Sequence, residues 1–92
     1  MIFSKILKNK SFLVYGLGVT GISAIKFLKK IGVKNIFIWD DNIETRKKYN
    51  LKYKEKNIKK IFSDVDYIVL SPGISLIKSK KKRLLKRNKN KI

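Results

Sequence analysis

Residues 12–21 read Phe12-Leu-Val-Tyr-Gly-Leu-Gly-Val-Thr-Gly21, an apolar run that passes directly into G-x-G-x-x-G. The segment that follows, 19–31, places Gly21, Ala24, Ile25, Leu28 and Ile31 on one helical face and Lys26, Lys29 and Lys30 on the other. A strand, a glycine loop and a helix in this order form a phosphate cradle. Gly16 permits the tight turn, Gly18 removes the Cβ that would keep phosphate from the backbone, and Gly21 lets the helix pack close to the strand. An anion would then lie at the positive end of the helix, on free backbone N–H groups. The motif by itself is common, and its flanks make this one informative. Gly16 to Gly21 also satisfies the first part of a P-loop, but Ile22 stands where the lysine is required, so the loop is not an ATPase site.

Outward from this loop the chain alternates. Residues 1–8 carry Ile2, Phe3, Ile6 and Leu7 at helical spacing. Residues 12–15 form a strand whose continuous apolar character suits a central parallel position, buried on both faces. Gly32 closes the helix of 19–31 as a C-cap. Residues 35–39 form the second strand, ending on Asp40, Asp41 and Asn42. The stretch 44–61 is polar and poorly periodic, and predicts short helices at 44–49 and 56–61. Residues 65–70 are the third strand, stopped by Ser71-Pro72-Gly73, and 79–87 form a basic helix with Leu84 and Leu85 as its apolar contacts. This order predicts one α/β domain over 1–92, a Rossmann-like parallel sheet flanked by helices in three layers. With three strands its edges are unpaired and the sheet is incomplete at its C-terminal edge. The expectation is the front of a larger protein.

Composition narrows the chemistry. With 92 residues the chain is near the lower end of what buries an adequate core, and 43% hydrophobic content is that of a globular protein. The absence of Cys and His removes disulfides, thiol nucleophiles, zinc sites and imidazole acid–base catalysis. Lys and Arg number 24 against 6 Asp and Glu, a formal charge of +18. Two readings stand: an anionic partner such as nucleic acid, or a compositional bias that spreads Lys, Ile and Asn over the whole chain. Nine of the fourteen residues 78–91 are basic, which predicts non-specific polyanion binding there. Residues 11–25 are free of charge, but three glycines interrupt them and they fall short of the ~20 residues of a membrane span. No membrane span and a cytoplasmic location are expected.

Three segments converge at the carboxyl ends of the strands, where open α/β sheets bind ligands. They are the loop Gly16–Gly21, the cluster Asp40–Asn42 and the turn Ser71–Gly73. Asp40 lies 19 positions after Gly21, near the ~20-residue offset at which a carboxylate meets a ribose hydroxyl. Asp40 and Asp41 also fit a plainer role, ending a strand and capping the next helix. An NAD(P)-binding domain accounts for the loop and the acid equally well. A basic nucleic-acid-binding protein is a further alternative, without a helix-turn-helix, zinc or aromatic RNA-binding signature in its favour.

Tyr15-Gly-Leu-Gly-Val-Thr-Gly21, Asp40-Asp-Asn42 and Ser71-Pro-Gly-Ile74, taken together, resemble the N-terminal domain of the Mur ligases, in its D-glutamate-adding form. The resemblance runs from about residue 8 to residue 92, and Thr20 with the full Ser-Pro-Gly-Ile turn favours this family over ordinary NAD-binding domains. It implies a domain that holds the UDP part of a UDP-linked muramoyl substrate for peptidoglycan synthesis. By that resemblance Val19 and Thr20 contact the diphosphate or uracil, Asp40 and its neighbours Asp41 and Asn42 meet the uridine, and Gly73 lines the opposite wall. Where the family often has Asp-Thr-Arg, this chain has Asp40-Asp41-Asn42, and Asn42 supplies no charge. The family's ATP-binding central domain, with its Mg2+, and its C-terminal domain are not among these residues. The resemblance therefore implies no ATP, metal or ligation chemistry for the 92-residue chain alone.

Overall fold

The computed structural model describes residues 2–49, 55–72, 74 and 78–92. The elements in chain order are α1 (Ile2–Leu7), β1 (Ser11–Tyr15), α2 (Val19–Lys30), β2 (Asn35–Trp39), α3 (Ile43–Lys48), α4 (Glu55–Asp64), β3 (Tyr67–Leu70) and α5 (Lys82–Arg87), with a 3-10 turn over Lys89–Lys91. The strands form one sheet in the order β2-β1-β3. Both pairings are parallel: Ser11 to Tyr15 align with Asn35 to Trp39, and Phe12 to Tyr15 align with Tyr67 to Leu70. The expected α/β fold, with β1 at its centre, is the one observed.

Alternation along the strands builds a core on each face. Leu13, Tyr15, Trp39 and Ile68 point to one side, where they pack with Ile58, Phe62 and Val65 from α4 and its end and with Leu85 of α5. Phe12 and Val14 point to the other, with Leu28 of α2 and Val33, and with Leu7, Ile25, Ile36, Ile38 and Val69 around them. Helices on both faces give the three layers.

The ends of elements have local causes. In α2 the last turn closes with Gly32 N–H on the Lys29 carbonyl at 3.1 Å and Val33 N–H on the Leu28 carbonyl at 3.0 Å. Gly32 sits at φ +93°, and Val33 packs in the same cluster as Leu28. This is a Schellman motif with its hydrophobic contact, and it confirms Gly32 as the stop. At the amino end of the sheet Asp66 accepts from the Ser11 N–H at 2.8 Å and from its hydroxyl at 3.1 Å, which joins the start of β1 to the approach of β3.

Three boundaries differ from the sequence expectation by two residues or more. The fourth helix runs to Asp64 rather than stopping at residue 61, because Phe62 and Val65 extend the stripe begun by Ile58. Strand β3 starts at Tyr67, since Val65 closes α4 through its N–H to Ile61 and Asp66 turns toward Ser11. The basic helix starts at Lys82, not at residue 79, because the backbone before it is held by other groups at the opposite end of the sheet.

Candidate functional site

The carboxyl ends of the strands fix the glycine loop from three directions. Gly16, at φ +102°, extends the ladder by donating its N–H to the Trp39 carbonyl at 2.7 Å. On the other side Ser71 donates its N–H to the Tyr15 carbonyl at 3.1 Å and its hydroxyl to the Gly16 carbonyl at 3.0 Å. From the second strand, Asp40 accepts the Leu17 N–H at 2.8 Å. The loop's path is therefore set by groups from both neighbours of β1 before any ligand arrives.

Each glycine meets a different environment. A Cβ on Gly16 would press on Ser71 at 2.8–2.9 Å, in a backbone conformation that L residues rarely adopt. A Cβ on Gly21 would overlap the Gly16 carbonyl oxygen, so this glycine is what lets α2 lie against the loop. Gly18 differs: its backbone is extended and a Cβ there would meet nothing within 4 Å among the described residues. Its bare Cα faces open space.

That space is a cavity of about 330 Å³ lined by Gly18, Val19, Thr20, Ser71, Pro72 and Ile74. Gly18 caps α2 without a side-chain hydrogen bond, the first turn carries no acid, and the first N–H with an acceptor is Ile22, to Gly18 at 3.0 Å. The N–H groups of Val19, Thr20 and Gly21 have no acceptor among the described residues. Three such donors at the N-terminus of a twelve-residue helix attract an anion through both hydrogen bonding and the helix dipole. Ile22, in the P-loop lysine position, is half-buried.

The expected acidic cluster is placed beside the loop, and its side chains are engaged within the fold. Asp40 uses one carboxylate oxygen for Leu17 and the other for the Asn42 N–H at 2.9 Å. Asn42 caps α3, accepting from Glu44 at 2.8 Å and Thr45 at 3.3 Å. Asp41 accepts from the Tyr15 hydroxyl at 2.5 Å, the Trp39 indole N–H at 3.1 Å and the Lys80 N–H at 3.0 Å. Burial pushes the Tyr15 phenol well above its ordinary value, and the Asp41 carboxylate adds to the shift. For Asp41 burial acts upward, but the bonds from Tyr15, Lys80 and Trp39 prevail and hold its carboxyl below the usual range. Arg46 donates to the Asp40 carbonyl at 2.6 Å and lies 4.2 Å from the Trp39 ring centre, while the Lys81 ammonium lies 4.8 Å from it.

Of the residues singled out by sequence, Gly18, Val19, Thr20, Ser71 and Pro72 line one cavity. Gly16 and Gly21 lie against each other in the loop without lining the cavity, and Gly73 lies outside the described residues. Asp40, Asp41 and Asn42 border the loop without lining that cavity. The sequence reading did not anticipate Leu17, Tyr15 or the Lys80 backbone as parts of the assembly. The signal for Tyr15 was its polar hydroxyl at the end of an otherwise apolar strand.

UDP-N-acetylmuramoylalanine--D-glutamate ligase of Wolbachia sp. subsp. Brugia malayi (strain TRS) is 38% identical over 73 residues, 75% of this chain and 14% of that ligase. The enzymes of the same name from Thermoanaerobacter sp. (strain X514) and Clostridioides difficile (strain 630) are 37% and 38% identical over 78 residues, in each case 76% of this chain and 17% of theirs. The chain thus spans about one-sixth of the length of these curated relatives. No solved structure matches it. The family model for the Mur ligase MurD-like N-terminal domain matches residues 10–92. The chain belongs to the MurD-like N-terminal domain family of the Mur ligases.

Proposed function

We propose that this domain binds the UDP moiety of a UDP-N-acetylmuramoyl-L-alanine substrate, as the N-terminal part of an ATP-dependent ligase that adds D-glutamate in peptidoglycan synthesis. The observation that carries the reading is the open N-terminus of α2, where the N–H groups of Val19, Thr20 and Gly21, without an acceptor among the described residues, meet a cavity that Gly18 leaves unobstructed. A diphosphate supplies the acceptors these donors lack. The Thr20 hydroxyl adds a donor at the rim, and Ser71 and Pro72 line the same cavity. Asp40 to Asn42 border the uridine through their backbone, since their side chains are already committed.

On this reading ATP and Mg2+ act outside residues 1–92, and the chain alone neither hydrolyses ATP nor ligates. The reading also carries a cytoplasmic location. Among the described residues no helix is long and apolar enough to cross a membrane. An NAD(P) site would need the Asp40 carboxylate for a ribose hydroxyl, at the expense of the bonds to Leu17 and Asn42.

Parallel isothermal titrations with UDP, UDP-N-acetylmuramoyl-L-alanine and NADH test the proposal. The UDP compounds are expected to bind and NADH is not. Ligand at 100 times its Kd should stabilise the domain by roughly 2.7 kcal/mol if it binds the native state alone. Binding of NADH in preference to UDP, or a cooperative melt that saturating UDP compounds leave unmoved, would overturn it.

A further inference from the structure

We infer that the outer face of α5 and the turn after it bind the phosphate backbone of a duplex nucleic acid without regard to sequence. Lys82, Arg83, Lys86, Arg87 and Lys89 are all exposed, while Leu85 turns inward and is fully buried. In a helix, Lys82 with Lys86 and Arg83 with Arg87 form two adjacent i,i+4 rows, about 5–6 Å apart between Cβ atoms. That spacing is shorter than the Debye length of ~8–10 Å, so the charges act on an approaching polyanion as one field.

Among the described residues none of these five cations has a carboxylate partner within ion-pair range. Like charges at i,i+4 weaken a helix, so the arrangement does nothing for the fold that carries it. The element is nevertheless held in place from both ends. Lys80 and Lys81 donate their N–H groups to Asp41 and to the Tyr15 hydroxyl, at 3.0 and 3.3 Å. Lys91 donates to the Phe62 and Ser63 carbonyls at 3.0 and 2.6 Å, closing the last turn of α4. Lys59 and Lys60 of α4 are exposed in the same layer, as is the acid Asp64 at the end of that helix. A fixed, unneutralised cationic surface fits a polymer of phosphates. Insertion into a bilayer would require apolar residues on the exposed side, and Leu84 and Leu85 both pack into the core. A single strand would require aromatic platforms, and residues 78–92 contain none.

The test uses the 92-residue chain and two fluorescein-labelled DNA duplexes of unrelated sequence, read by anisotropy over about 50–200 mM salt. Engagement of about five phosphates predicts a log–log salt slope near −4.5, roughly a 500-fold loss of affinity over that range, and equal affinity for both duplexes. Neutralising the face (Lys82→Gln, Arg83→Gln, Lys86→Gln, Arg87→Gln) should reduce the slope by about 3–4. Removing the same charge from the opposite layer (Lys26→Gln, Lys29→Gln, Lys30→Gln, Lys34→Gln) should leave the slope unchanged, with circular dichroism confirming that both variants fold. The inference fails if both variants lose affinity alike, if one duplex is strongly selected, if phosphatidylserine vesicles are bound more tightly than DNA, or if no duplex binding is seen at the lowest salt.

Discussion

Gly16, Gly18 and Gly21 belong to one motif but do unlike work, and substitution should separate them. Valine at Gly18 enters open space in an extended conformation any residue adopts, so Gly18→Val should fold like the parent and lose UDP affinity. Alanine at Gly21 meets the Gly16 carbonyl, and Gly21→Ala should lower stability by roughly 1–3 kcal/mol, visible as a lower Tm. Titration and melting of the two variants check both expectations; undiminished UDP binding by Gly18→Val would remove the loop as the phosphate site. These roles were legible in the sequence because a turn, a backbone approach and a helix contact are local demands. The Asp40 bond to Leu17 was not, since it joins residues 23 apart and depends on how β2 is registered against β1. The same holds for Asp41, whose carboxylate is taken by Tyr15, Trp39 and Lys80.

Among the elements, α2 was readable end to end because its apolar face repeats regularly and a glycine stops it. The stop itself is testable: the nearest neighbour of a Cβ at Gly32 is Lys8 at 3.9 Å, so Gly32→Ala is penalised by φ +93° alone, by about 1–2 kcal/mol in a denaturant titration. The α3 cap offers a companion measurement, with Asn42→Ala expected to cost about 1 kcal/mol and to leave the sheet intact. Helix α4 was harder to read. Its stripe begins only at Ile58, and Val65, which completes it, also looks like the first residue of a strand. The start of α5 lay beyond local reasoning, because the two N–H groups before it are taken by Asp41 and Tyr15, partners 39 and 66 residues away.

At the scale of the molecule, a parallel sheet covered on both faces followed from continuous apolar strands alternating with helices. Which end carries long-range anchors did not. Those anchors set limits in pH. The Asp41 carboxyl is depressed in the fold, so its contribution is present above the unfolded value of ~3.9 and lost as pH falls through the lower folded one. Tyr15 is raised, so its share is complete below ~10 and fades as pH climbs beyond. Asp41→Asn should flatten the acid side of a stability–pH curve and Tyr15→Phe the alkaline side; unchanged slopes would mean the network contributes little. The chain has a single tryptophan, Trp39, and it is 1% exposed, beside Asp41 and under Arg46 and Lys81. The protein thus carries its own optical gauge, unlabelled and positioned at one pole. Ultraviolet emission should shift when the basic segment lifts from the sheet or a ligand reshapes the loop. It should stay silent when the opposite pole, around Ser11 and Asp66, frays.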